Sequence, residues 1–387
     1  VGYENLLTIE DLTTDQASWA SYREQFPVLA NLTYLNHAAV APLCKPAADA
    51  MRWNANDCET WGSFHYDRWM KCYDDFRAQC ARLIHADPGE IAIVKNTSEG
   101  IATVQMGLNW KTGDAVVAFR EEFPANYFPW QRLEAKGVEI RWLSIYDSLD
   151  KIDAAAKGAR LLAISYVNYL SGYRVDLEAI GEICSRHNVF YFVDAIQGLG
   201  VYPIDVRKAR IHALAADGHK WLLGPEGCGV LYIQQDQQDS IEPVEFGWTN
   251  VAGYNDYASR DMALRTDAGR YECGTLNTVG CFGLEASMRF LNDIEEKFPG
   301  ALAKRITMLA DRLADGARNK GYELMIERQA TTSAGIVSFR KEGIDSRMTV
   351  AKLRQNMITS APRQGWIRVS PHFYLETAEV DRAIDLL

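Results

Sequence analysis

No stretch of this 387-residue chain comes near the roughly 20 consecutive apolar residues that a helix needs to cross a bilayer. The segment 1–15 carries Glu4, Glu10 and Asp11 where a secretory leader would be basic and then apolar, so the expected location is the cytoplasm. Basic charge is in short supply. With 41 Lys and Arg against 51 Asp and Glu, the net charge of -10 argues against nucleic acid or an anionic membrane as partner and for a small molecule. None of the eight cysteines sits in a C-x-x-C pair and none of the seven histidines in H-E-x-x-H. Neither a metal site nor a disulfide framework is therefore expected, and the thiols read as reduced and mostly buried. Internal repeats, low-complexity tracts and long linkers are also missing.

What the chain does have is hydrophobic mass, 48% of its residues, on a length that exceeds one ordinary core. Short apolar runs at 90–95, 115–119, 139–143, 161–167, 189–193, 213–216 and 229–233 alternate with amphipathic stretches such as 177–187. Runs this apolar predict strands buried on both faces of a mostly parallel, seven-stranded sheet in an α/β architecture. Beyond residue 255 helices at 279–297 and 301–320 lead to strand-like pieces at 335–339 and 366–370 and a last helix from 377. The reading is a large domain over 31–255 and a smaller α+β domain over 256–387, on which an N-terminal segment, 1–30, packs.

In a parallel sheet, ligands bind beyond the carboxyl ends of the strands, which makes the residues after each run the informative ones. Asp194 ends a fully apolar strand, where a lone carboxylate is costly unless a cation faces it; a protonated pyridine nitrogen is such a cation. As a bland alternative it caps the following turn. Lys220 follows the run 213–216 and precedes the glycine-rich G-P-E-G-C-G. Desolvation there would lower its pKa and favour Schiff-base chemistry, whereas an ordinary lysine is a solvated charge. Asn96-Thr97-Ser98-Glu99-Gly100 opens a helix directly after a strand, offering hydroxyls and free N–H groups to a phosphate, or else plain N-capping. The glycine sequence leads into a strand and matches no dinucleotide fingerprint or P-loop, which counts against a nucleotide-binding α/β protein.

Seven motifs in order, YLNHAAVAPL, NTSEG, YVNYLSG, VDAIQ, DGHKW, CGTLN and IRVSPHFY, resemble those of the class V aminotransferase and cysteine desulfurase superfamily of pyridoxal 5'-phosphate enzymes, from about residue 30 to the end. The resemblance implies fold type I and a homodimer with active sites shared between subunits. It implies that Lys220 holds the cofactor, Asp194 pairs with the ring nitrogen, Gln197 bonds the ring oxygen or the nearby aldimine, and Asn168 lies beside substrate and cofactor. Thr97, Ser98 and His219 would contact the phosphate, Thr275 the phosphate of the other subunit, and Arg368 the substrate carboxylate. Asn36 and His37 would lie near the substrate.

Three departures from the superfamily pattern bear on the reaction. Phe123 stands where many members stack a histidine on the ring; it stacks but transfers no proton. Asp217 replaces a serine before Gly-His-Lys, and a carboxylate there is repelled by phosphate. No cysteine occurs between Gly283 and Leu387, where desulfurases carry one on a mobile loop. The function expected from the sequence is accordingly transamination of an amino acid, with carbon–sulfur or other β-elimination as the alternative and protein-bound persulfide formation set aside. A non-catalytic binding module is the rival from another class, and Lys220, Asp194 and Arg368 together count against it.

Overall fold

In the computed structural model, which describes residues 19–387, each of the seven apolar runs forms a strand. In chain order the strands are β1 (Thr33–Tyr34), β2 (Ile91–Val94), β3 (Ala115–Phe119), β4 (Glu139–Leu143), β5 (Leu161–Ser165), β6 (Phe190–Asp194), β7 (Ala213–Asp217), β8 (Gly229–Ile233), β9 (Glu323–Leu324), β10 (Val337–Arg340), β11 (Ile358–Thr359), β12 (Ala361–Arg363) and β13 (Trp366–Val369). The large sheet has the order β2-β8-β7-β6-β5-β3-β4. Only β8 runs antiparallel to its neighbours; the other pairings are parallel. Along a strand, alternate side chains enter cores on opposite faces: Leu162 and Ile164 join one hydrophobic cluster, Leu161 and Ala163 the other. Burial on both faces is why these strands read as continuous apolar runs.

A second, antiparallel sheet, β12-β13-β10-β9, carries the helices Ala301–Asn319 and Ser346–Gln355. It is tied back to the start of the described chain by the parallel β1–β11 pair and the Asn36–Ser370 bridge. Trp19 and Phe26 pack on Phe373 and Tyr374, Phe26 stacking on Tyr374 at 3.7 Å. Residues 1–18 of the expected N-terminal segment, and the reading of 1–15, lie outside the described residues. Among those described, no helix is long and apolar enough to cross a membrane.

Three helices differ from expectation. The helix expected from Ile101 begins at Thr97, because Asn96 caps it by accepting from Glu99 N at 2.9 Å. The helices Lys45–Trp61 and Tyr66–Ile84 were not anticipated. The first buries only Ala47, Asn54 and Asp57 and so lacks an apolar stripe; the second does bury Tyr73, Phe76, Cys80 and Ile84 at helical spacing.

Candidate active site

The carboxyl ends of β2, β5, β6 and β7, with the turns that follow them, enclose a cavity of about 330 Å³ that reaches across to the second sheet. Thr97, Ser98, Phe123, Asp194, Gln197, His219, Lys220 and Arg368 all line it. Close approach is built into the phosphate side: a Cβ on Gly100 would stand 2.7 Å from Ala215 Cβ, so glycine lets the first turn of the helix Thr97–Gly107 lie hard against β7.

Asp194 is buried, with Oδ1 accepting from Ile196 N at 3.0 Å. Burial raises its carboxyl to about 6, against the opposing pull of the Ile196 N–H and the Lys220 charge. Lys220 is half-buried, and desolvation pulls its ammonium down to about 8 despite the neighbouring Asp194. Its Nζ lies 5.8 Å from the centroid of the Phe123 ring. Arg368 is 2% exposed and donates from Nη1 to Tyr169 O at 2.7 Å. Its Nε is buried without a hydrogen-bond partner, and among the described residues no carboxylate lies within 4 Å to pair with it. Burial and the nearby Arg363 charge lower its guanidinium to about 10. The result is an anion receptor facing a lysine of weakened basicity.

Gln197 donates from Nε2 to Ala38 O at 3.0 Å and accepts from Trp221 Nε1 at 2.8 Å, which leaves one amide hydrogen for a ligand. His219 Nδ1 stands 2.9 Å from Asp217 Oδ1, yet both atoms lack hydrogen-bond alignment.

Four residues singled out in the sequence do not line this cavity. Asn168 clamps a turn, accepting from Leu170 N, Ser171 N and Ser171 Oγ at 2.9–3.1 Å and donating to Glu121 O. His37 is a buried strut. Its Nδ1 lies 2.8 Å from Ser370 O, which only accepts, so Nδ1 carries the hydrogen and Nε2 accepts from Tyr374 Oη at 2.6 Å. Burial drops its pKa to about 4. Asn36 bridges to Ser370 through its backbone, and its Oδ1 is buried without a partner. Thr275 opens instead on a separate cavity, shared with Cys273. That thiol is held above its ordinary range by partial burial and by Glu245, 3.5 Å away.

Other residues at the site went unread in the sequence. Tyr169 and Arg363 line the cavity from a turn and a hairpin whose position only the tertiary fold sets. Glu122 is buried, accepts from Ser165 N at 2.6 Å and is hydrogen-bonded to Ser165 Oγ. Its signal was present, a second acid immediately before Phe123, but surface acids look the same in a sequence.

The class-V aminotransferase family model matches residues 33–382. The chain belongs to that family. As a class V enzyme it uses pyridoxal phosphate in the fold type I architecture. The cavity suits that group: Thr97 Oγ1 is buried and unpartnered at a helix N-terminus, where a phosphate is favoured. Asp194 is a buried carboxylate in the same cavity and Lys220 an amine of lowered basicity, groups that a ring nitrogen and an aldehyde would fit. The chain is 33% identical over 70% of its length to a probable cysteine desulfurase of Methanothermobacter thermautotrophicus, covering 70% of that protein. It is 29% identical over 94% of its length to a probable cysteine desulfurase of Pyrococcus abyssi, covering 96% of it. The apo structure of a cysteine desulfurase from Thermococcus onnurineus NA1 superposes with a TM-score of 0.85 at 25% identity, over 95% of this chain and 96% of that one.

These likenesses correct the expected reaction. Transamination, with β-elimination beside it and persulfide formation set aside, does not stand against relatives that are cysteine desulfurases. The error was to treat one cysteine on one segment as the sole possible acceptor of sulfur. Any thiolate that reaches the site accepts sulfur, so the composition of residues 284–387 does not decide the chemistry.

Proposed function

We propose that this class V enzyme is a cysteine desulfurase that breaks the Cβ–S bond of cysteine and releases sulfur at the persulfide level to a thiol. The observation that carries the reading is the pairing of an unneutralised buried guanidinium, Arg368, with Lys220 in one cavity, joined to the likeness with cysteine desulfurases over nearly the whole chain. Pyridoxal phosphate, when bound, supplies the electron sink for bonds at the substrate's α-carbon.

In this reading Arg368 takes the substrate carboxylate through Nε and its free edge, while Tyr169 O holds Nη1 and fixes the plane of the fork. Lys220 would hold the cofactor. Its amine, pulled down to about 8 by burial, would take the substrate's α-proton. Asp194 would set its carboxylate opposite the ring nitrogen. Thr97, Ser98 and His219 would hold the phosphate, with Gln197 beside the ring and Phe123 over its face. Thr275, turned away from its own chain's cavity, would complete the site of a second subunit in a cytoplasmic homodimer whose large and small domains divide near residue 255.

The test is incubation of the purified, cofactor-loaded enzyme with L-cysteine and a reducing thiol. Stoichiometric alanine and sulfide support the reading; turnover of cysteine with neither product sinks it.

A further inference from the structure

Glu122 is a buried acid at the site that the reaction above does not use. Its carboxyl takes the Ser165 N–H at 2.6 Å and shares a hydrogen with Ser165 Oγ, and the Asn126 side chain lies against it. Among the described residues no lysine, arginine or histidine stands within ion-pair distance of Glu122. On its own segment, Arg120 donates to Trp142 O, and Glu121 accepts from Ser144 Oγ and Ile145 N. The charge that does face it is another carboxylate: Ser165 pairs with Asp194 across the β5–β6 ladder, and Asp194 opposes ionisation of Glu122. The Lys220 charge acts on Asp194. Ser165 itself lines the cofactor cavity.

We propose that Glu122 is a positioning residue that works as a neutral acid: its own proton bridges to Ser165 Oγ, which frees the serine's hydrogen to point into the cofactor cavity on the Asp194 side. A hydroxyl has one hydrogen to give. Were Glu122 ionised, Ser165 would have to donate that hydrogen to the carboxylate and present only lone pairs to the cavity. With Glu122 neutral, the cavity gains a donor where the Asp194 charge sits, and a second buried negative charge is avoided. Burial, reinforced by Asp194, raises the Glu122 carboxyl to about 8, which keeps the arrangement intact at neutral pH and dissolves it above.

Glu122→Gln is the informative variant, because an amide copies the neutral acid, with Oε1 accepting from Ser165 N and Nε2 donating to Ser165 Oγ. Infrared difference spectra of the holoenzymes, wild type minus Glu122→Gln, should show an un-ionised carboxyl band below about pH 8 that disappears above it. The visible absorption of the bound cofactor should shift through the same range in wild type and stay flat in Glu122→Gln. Ser165→Ala should keep the carboxyl band but lose the visible shift. Absence of the band, or an identical visible titration in wild type and Glu122→Gln, would overturn the proposal. Should Glu122→Gln not fold, carbon-13 labelling of glutamate carboxyls in the wild-type holoenzyme decides instead: one neutral glutamate at pH 7 supports it, none refutes it.

Discussion

Arg368 and Tyr169 are joined by one hydrogen bond, Nη1 to the Tyr169 carbonyl at 2.7 Å, and that bond leaves the Nε edge of a buried guanidinium unclaimed. Arg368→Lys should therefore cost binding more than turnover, since an ammonium cannot make the forked contact from the same stem. The expected outcome is a KM for cysteine raised about 10- to 100-fold with kcat changed much less. A drop confined to kcat would take Arg368 out of the substrate contact.

Lys220→Ala should retain the fold by circular dichroism and lose turnover by about 10²–10⁴-fold. Borohydride treatment followed by peptide mapping should fix the cofactor to Lys220 in wild type and to no residue of the variant. A pyridoxyl group on another lysine would reassign the site.

Asp194→Asn should lose far more activity than Phe123→His. Removing the carboxylate leaves the ring nitrogen without its counter-charge, whereas either aromatic ring stacks on the cofactor. Equal losses in cofactor-loaded variants would show that the two roles are misjudged.

Mixing inactive Lys220→Ala with inactive Thr275→Ala should regain activity. In a mixed dimer with shared sites, one site carries both substitutions and the other carries neither. No recovery after co-refolding, with mixed dimers verified by mass spectrometry, would place Thr275 outside the partner's site.

Stability should fall with pH through the window set by Glu122. Its folded pKa, about 8, lies above the ordinary 4.5, so between those values the folded chain holds a proton that the unfolded chain has lost. Glu122 is thus least costly below 4.5, and its penalty grows until the pH passes 8. Glu122→Gln should flatten that part of the curve of Tm against pH in the apo-protein; an unchanged slope would mean that the acid is ionised throughout.

The strands of the large sheet, apart from the edge strand β4 with Glu139 and Arg141, were legible because burial on both faces leaves no polar residue to interrupt them, and Asp194, Lys220 and Thr97 because each lies at or just after the end of such a run. Their neighbours were not. Arg363 and Tyr169 reach the cavity from segments more than 190 residues apart in sequence, joined by Gln364 Nε2 donating to Tyr169 Oη. No local pattern encodes such a meeting. Glu122 was hidden for a different reason: its meaning depends on Ser165, 43 positions later, closing over it. The reaction was misread because a missing cysteine is a statement about one acceptor, while the substrate is chosen by the shape of the whole cavity.

The β1–β11 pair joins Thr33 to Ile358, and the strand bearing Arg368 follows within a dozen residues. During synthesis the seven strands of the large sheet, with Asp194 at the end of one and Lys220 in the turn after another, leave the ribosome well before Arg368 does. On the roles proposed above, a nascent chain would have the means to hold its cofactor before it has the means to hold an amino acid. A chain truncated after residue 355 should accordingly turn yellow, since all seven strands of the large sheet precede that point, and remain blind to cysteine. The seam between Thr33 and Ile358 is then a late latch on catalysis.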